Sequence, residues 1–414
     1  DKRHCLLYAG VAHLAERQQP FDVLTLAQAL KDEGSLDAAG GEAYLFEIAN
    51  TTPSAANAQA YADIVREKSV LRQLIRVGTD ITDSALATEG RDSKELLDSA
   101  EQCVFSIAEQ QSRGQGPGSI EKLLVATTER IDSMQQTKGA ITGVSSGFHD
   151  LDHMTSGLQQ GDLIIIAGRP SMGKTAFAMS IACNLLTDEV PVLLFSMEMS
   201  SRSIMYRLFS SFSRVDFRRL QEAKNLSEED FRDIDDASTI LSKSKLFIDD
   251  TPGLSPSELI SRARKVKREN PELGLIIIDY LQLMNSDRNS ENRVSEMSEI
   301  SRSVKSLARD LDITVIALSQ LNRAVENRNN KRPLMSDLRE SGALEQDADL
   351  VAFVYRDEYY NETPENKGLA EVNIAKHRNG KTGKVKLHFA SNIIKFENLA
   401  DNDPALSMPM NYED

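Results

Sequence analysis

From about residue 140 onward, apolar runs of four to seven residues alternate with stretches whose apolar positions recur at helical spacing. The runs are Leu163–Ala167, Val190–Ser196, Leu246–Asp249, Leu275–Asp279, Ile313–Ser319 and Leu350–Tyr355. Runs this short and this continuously apolar suit strands buried on both faces, so the pattern predicts an α/β domain with a mostly parallel sheet and crossover helices. Three further runs, Glu371–Ala375, Val385–Phe389 and Ile393–Phe396, predict an antiparallel extension. The first 108 or so residues have no long buried strand and predict a small all-α domain. Ala58–Ile81 reads as one long helix and Ser93–Gln110 as another, with a turn at Glu89–Asp92 and Ser93 as the cap. Gly40-Gly41 and Thr51–Ser54 break the helical pattern earlier. Leu6, Leu7, Val11 and Leu14 already show helical spacing with no cap before them, so the opening reads as the inside of a helix whose start is missing.

Between the two textures, Ser112–Ser119 has linker composition. It is followed by an amphipathic helix carrying Ile120, Leu123, Leu124, Thr127, Ile131 and Met134. A short helix of this kind needs a surface to cover its apolar face, on its own domain or on a neighbouring subunit. The expected organisation is therefore a helical domain over 1–110, a linker with its helix over 111–139, an α/β domain over 140–400 and a polar, disordered tail over 401–414.

Composition narrows the picture. A chain of 414 residues with 27% charged residues supports two or three globular domains. No apolar run approaches a membrane span, so no membrane partner is expected. Cys5, Cys103 and Cys183 are odd in number and lack metal-ligand spacing, and they read as small packed hydrophobes in a cytoplasmic protein. The net charge of −15 argues against a surface coated in nucleic acid, but it leaves room for binding through local basic loops.

The chemistry concentrates at the ends of the predicted strands. Directly after Leu163–Ala167 come Gly168-Arg169-Pro170-Ser171-Met172-Gly173-Lys174-Thr175, and a helix is predicted from Lys174 to Leu186. This is a phosphate loop. Its glycines let backbone N–H groups approach phosphates, Lys174 reaches the β- and γ-phosphates, and the Thr175 hydroxyl serves Mg²⁺. The expected ligand is ATP or another NTP with Mg²⁺. Asp279, closing a buried strand, is expected to orient the metal shell. Glu198, just past Val192–Ser196, is expected to polarise the attacking water, because ligands collect at the carboxyl ends of such strands. Gln320, at the end of the next strand, could sense the γ-phosphate.

Basic residues follow. From Gln320 to Arg339 the chain carries Arg323, Arg328, Lys331, Arg332 and Arg339 against Glu326 and Asp337. Four asparagines make this stretch loop-like. It reads as a loop that tracks phosphates, with a solvated surface loop as the alternative. Ala375–Gly383 reads as a strand end and a basic hairpin containing Lys376 and Arg378. It could touch DNA, or it could deliver a cation to a neighbour's nucleotide, a role in which the planar Arg378 is the better finger.

At this point the residues resemble a known family, the bacterial replicative DNA helicase DnaB. The resemblance rests on Phe195–Met199, Ile278–Met284, Ala317–Arg323, Asp337–Asp349 and Lys376–Gly380. In the N-terminal half it rests on Gly40-Gly41, Thr52–Asn57 and Tyr61–Glu67, so it covers essentially the whole chain. It implies a RecA-type ATPase domain in a homohexameric ring that moves 5′ to 3′ on single-stranded DNA at the replication fork. Lys174 and Thr175 match the phosphate-loop pair, Glu198 the catalytic acid, Asp279 the Mg²⁺-shell acid and Gln320 the sensor. Lys376 and Arg378 match the basic pair donated by the adjacent subunit. Arg339, Glu340 and Gly342 match loop positions that contact the DNA backbone. The resemblance also implies a linker helix that docks on the next subunit, a collar that recruits primase, and a helicase loader. Two features depart from the family: its first several dozen residues are missing, and His377 stands where relatives often carry a neutral polar side chain. The rival readings are a strand-exchange recombinase or another ATPase on the same core, and a scaffold that binds nucleotide only for structure.

Overall fold

The computed structural model describes residues 2–17, 20, 22–51, 58–88, 141–285 and 293–399, with scattered positions between 90 and 128. The chain divides into two compact units, Asp1–Glu129 and Arg130–Asp414.

In the first unit the helices are α1 (Lys2–Glu16), α2 (Val23–Asp32), α3 (Gly41–Thr51) and α4 (Ala58–Leu86). Asp22 starts α2 by a capping box, its carboxylate accepting from the N–H groups of Leu24 at 2.9 Å and Thr25 at 2.8 Å. Leu7, Ala27, Leu30, Ala39 and Leu45 form a small core. The helix α4 continues past the expected end at Ile81 to Leu86, since no glycine or proline interrupts it there. The expected helix over Ser93–Gln110 and the linker helix over 120–134 fall largely outside the described residues, as does the tail from Asp401.

The second unit is built on a nine-stranded sheet in the order β3-β2-β4-β5-β1-β6-β7-β8-β9. Its parallel strands are β1 (Leu163–Gly168), β2 (Val192–Ser196), β3 (Leu246–Asp249), β4 (Leu275–Asp279), β5 (Thr314–Gln320) and β6 (Leu350–Tyr355). The strands β7 (Leu369–His377), β8 (Gly383–Ala390) and β9 (Lys395–Asn398) continue it antiparallel. Side chains alternate between the faces of a strand, so β1 feeds two cores. Ile164 and Ile166 join one that contains Phe148, Phe177 and Phe396. Leu163, Ile165 and Ala167 join the other, with Leu307, Val315 and Phe353. Both faces being covered explains why these strands read as unbroken apolar runs.

Two expectations need correction. The run Ile393–Phe396 is not a strand throughout: Ile393 and Ile394 lie in the turn before β9, with Ile394 at φ +52°. Ile393 is nonetheless buried, and an apolar run signals burial more directly than it signals a strand. Of the three cysteines only Cys183 is packed inside, whereas Cys5 and Cys103 are exposed. No helix among the described residues is long and apolar enough to cross a membrane.

Candidate nucleotide site and basic loops

The phosphate loop leaves the carboxyl end of β1 and enters the helix Lys174–Thr187. The geometry requires glycine at position 173. Gly173 sits at φ +95°, and a Cβ there would lie 3.0 Å from the ring of Phe396. Ser171 also adopts a positive φ, +67°, without being glycine, which is backbone strain held within the loop.

Parallel pairing brings the acids to the same edge. Ser196 of β2 lies beside Asp279 of β4, and the Met197 N–H donates to the Asp279 carbonyl at 2.8 Å. This places Glu198, which is exposed, just beyond Asp279, which is buried. The Thr175 hydroxyl donates to the Asp279 carboxylate at 3.0 Å. Lys174 rests its ammonium on the Ser319 carbonyl at 3.3 Å and 5.6 Å from the Tyr280 ring centroid. Gln320 lies opposite Gly168 in the β1–β5 register, beside the start of the loop. Burial lowers the Lys174 pKa, while Asp279 and Glu198 oppose that shift.

Burial pushes the Asp279 carboxyl up to about 6, and the charge of Glu198 adds to the rise. Asp162 is likewise raised to about 6, chiefly by burial. An acid whose folded-state pKa is raised binds its proton more tightly in the native protein. Its contribution to stability is therefore full below about pH 4 and is lost as pH rises to about 6. Asp279→Asn is expected to remove part of this slope, up to about 3 kcal/mol. Denaturant melts of the nucleotide-free protein between pH 4 and 7 measure it. The Asp162 share should remain, and an unchanged slope would refute the assignment.

Two residues at the site were given no role by the sequence, although Gln282 lies inside the segment Ile278–Met284 that carries the resemblance. Arg207, on the helix Ser201–Ser213, has a buried Nε without a hydrogen-bond partner, and it lies in the field of Asp279 and Glu198. Gln282 donates to the Ser319 hydroxyl at 2.8 Å, and its amide oxygen lies 3.4 Å from the Gln320 nitrogen, so it ties the end of β4 to the end of β5. Neither spacing differs from that of an ordinary surface Arg or Gln.

Other candidates are placed differently. The Arg169 guanidinium turns to the Leu321 carbonyl at 2.9 Å and to Glu326 at 2.6 Å, which leaves its backbone for the phosphate loop. Arg328 pairs with Asp337, and Arg332 forms a two-pronged contact with Glu371 at 2.7 and 2.9 Å. That contact holds the Arg332 pKa above its usual value. The Lys331 ammonium sits 4.5 Å from the centroid of the Tyr360 ring. The Arg332 guanidinium lies 4.9 Å from the centroid of the Tyr355 ring, which stacks on Tyr360, so Lys331 and Arg332 contact one aromatic pair. Gly342 begins a short helix after the turn Met335–Ser341, and the side chains of Arg339 and Glu340 lie outside the described ones.

Lys376 and Arg378 sit at the far end of the sheet. Val351 pairs with Lys376 and Leu350 with His377, while Leu350 also pairs with Ile164 near the start of β1. The phosphate loop begins at Gly168, at the other end of that strand, which is about 13 Å away at the rise of a parallel strand. Arg378 and the phosphate loop of one chain therefore lie at opposite ends of the parallel strands.

A phosphate loop followed by acids on adjacent strands, within a mostly parallel sheet of this order, defines a P-loop ATPase domain of the RecA type. The profile of the DnaB-like helicase C terminal domain matches residues 143–398, and that of the DnaB-like helicase N terminal domain matches residues 1–67. The chain belongs to the DnaB-like replicative DNA helicases, which are ATP-dependent helicases. It is 49% identical to the replicative DNA helicase DnaB of Haemophilus influenzae over 96% of its own length and 86% of that protein's. It is 45% identical to the replicative DNA helicase DnaC of Bacillus subtilis over 96% of its length and 87% of that protein's. Among solved structures, one of a DnaB-like replicative helicase and its interactions with primase matches 95% of this chain and 91% of that one, with TM-score 0.77 and 36% identity. The ATPase domain of G40P matches 69% of this chain and 100% of that one, with TM-score 0.66 and 43% identity.

Proposed function

We propose that the chain works as a homohexameric ring that hydrolyses ATP between adjacent subunits and moves 5′ to 3′ along single-stranded DNA at the replication fork. One observation carries the ring: Arg378 and Lys376 lie at the sheet edge opposite Lys174, so a complete site needs a second copy of the chain. Primase and a helicase loader are its proposed protein partners, and the cytoplasm its compartment.

The residues fit a nucleotide with Mg²⁺. Gly168 lets the chain pass close to its neighbours, since a Cβ there would lie 3.0 Å from the Val354 carbonyl oxygen and 3.2 Å from Lys174 Cγ, and a larger residue would have to push them apart. Thr175 and Asp279 are hydrogen-bonded to each other and would hold the ion. Among the described residues there is no cluster of three or more His, Cys, Asp or Glu that could hold a metal. That suits an ion kept by one carboxylate together with substrate phosphates and water. When bound, the ion neutralises charge on the phosphates. Lys174 binds the β- and γ-phosphates, and Glu198 takes the proton from water. Arg207 offsets the charge of the two acids. Gln320 senses the γ-phosphate and, through its direct continuation into 321–342, transmits its loss to the DNA loop. Arg378 of the adjoining subunit steadies the transferring phosphoryl group.

Mixing tests the shared site. Arg378→Ala and Lys174→Ala proteins, each inactive alone, should regain ATPase activity when they form mixed rings, because some interfaces then carry both an intact Lys174 and an intact Arg378. No recovery at any ratio, with mixed rings verified by mass measurement, would exclude the arrangement.

Contact with DNA is proposed to run through the 323–342 loop to phosphates, without base stacking. The chain has no Trp, and Gln320–Arg339 contains no aromatic residue. Lys331→Ala should reduce the slope of log affinity against log salt by about 0.7, the loss of one phosphate contact on a single strand. Arg332→Ala should reduce it less, since Glu371 already neutralises Arg332. Titrating labelled oligonucleotide at several salt concentrations decides, and equal slopes for Lys331→Ala and the parent would remove Lys331 from the interface.

A further inference from the structure

At the sheet edge away from the phosphate loop, one carboxylate joins three elements. Asp349, 5% exposed, immediately precedes β6. Its carboxylate accepts from the N–H of Leu163, the first residue of β1, at 2.8 Å. It also accepts from the Lys305 ammonium on the helix Arg293–Leu311, and from the Arg378 guanidinium at 3.2 Å. The Asp349 N–H donates to the Leu163 carbonyl at 2.9 Å, and its carbonyl accepts from the Arg378 N–H at 2.9 Å. A second arm of the Arg378 guanidinium reaches the Gln346 carbonyl. Beside this cluster lies a cleft of about 380 Å³ lined by Gln160, Asp162, Lys305, Arg309 and Arg378. Both the backbone and the guanidinium of the finger are thus referenced to Asp349. Through Leu163 they are referenced to the strand whose other end carries the subunit's own phosphate loop.

We propose that Asp349, locked in place by Lys305, is the positioning residue for Arg378 and aims its guanidinium at the nucleotide of the adjoining subunit. The proposal rests on the trans-finger reading above. A half-exposed arginine has many rotamers, and an ion pair to a buried, doubly anchored acid selects among them before the neighbour arrives. The opposite role is sequestration, in which Asp349 withholds the finger. The two differ in the sign of the effect on rate.

Asp349→Asn keeps an oxygen acceptor for the Leu163 N–H and removes the charge. Its kcat should fall by about 10–100-fold, the cost of misplacing a catalytic group. The KM for ATP should be unchanged, because the variant's own phosphate loop is intact. Asp349→Glu should recover part of the rate. Mixed rings with Lys174→Ala should regain activity, because that partner supplies a correctly held finger. An unchanged or raised kcat overturns the proposal. So does a loss that Lys174→Ala rings do not relieve while the Arg378→Ala and Lys174→Ala mixture recovers. If neither mixture recovers, the trans finger itself fails, and the proposal falls with it. Should Asp349→Asn not fold, Lys305→Gln loosens the same carboxylate from the helix side. Its kcat should fall and its activity should likewise be regained in mixed rings, and an unaltered kcat there overturns the proposal.

Discussion

Arg378→Ala is expected to lower kcat for ATP hydrolysis by about 10³–10⁵-fold, the range associated with an arginine finger. That corresponds to about 4–7 kcal/mol of transition-state stabilisation. Nucleotide affinity should change far less. Within one chain the side chain sits at the amino end of the parallel strands, paired with Asp349, and Lys174 sits past their carboxyl end. A residue placed there lies far from its own chain's phosphate loop, and in the proposed ring it acts on a neighbour's nucleotide. Steady-state hydrolysis together with fluorescent-nucleotide binding separates the two effects. A loss confined to binding, with kcat preserved, would refute the finger role. Arg378→Lys should rescue only partly, because an ammonium keeps the charge but not the planar fork that spans two phosphate oxygens.

Glu198→Gln is expected to lower kcat by about 10²–10⁴-fold, the usual weight of a general base. Binding of ATP with Mg²⁺ should persist, since Lys174, Thr175 and Asp279 are untouched. Stability should change little, because Glu198 is exposed and its repulsion of buried Asp279 is offset by its attraction for Lys174 and Arg207. The glutamine has the same shape and cannot take a proton, so a folded, nucleotide-loaded ring that does not turn over is the expected species. Single-turnover hydrolysis, with a melting curve alongside, measures both. Unchanged turnover would exclude Glu198 as the activating acid and return attention to Asp279.

Much of this was legible in the chain. The six parallel strands follow from continuous apolar runs, and five of them match the expected bounds to within one residue at each end. β3, β4 and β6 coincide with them outright. The phosphate loop is legible because its chemistry needs consecutive residues: a backbone turn, a lysine and a hydroxyl can be assembled only locally. The acids Asp279 and Glu198 are legible because one ends a buried strand and the other lies two residues past the end of another, and strand ends in such a sheet converge on the ligand.

Arg207 was not legible, because nothing in its immediate neighbours sets it apart, and Gln282 and Asp349, although inside the segments Ile278–Met284 and Asp337–Asp349 that carry the resemblance, show no role in the residues around them. Arg207 matters only because its helix turns back over Asp279 and Glu198. Gln282 matters only because β4 lies beside β5. The basic loop was read as a run of cations, yet Arg328 and Arg332 carry acid partners, one of which, Glu371, lies 39 residues away on β7. By itself, then, the sequence determined the class of chemistry and the strands that bear it, since both are written in local patterns of polarity and residue type. Only the tertiary structure decided which charges are neutralised, which acid pairs with Arg378, and that Arg378 lies at the strand end opposite the phosphate loop of its own chain. Those outcomes depend on strand order and register, and these arise from contacts between residues far apart in the chain.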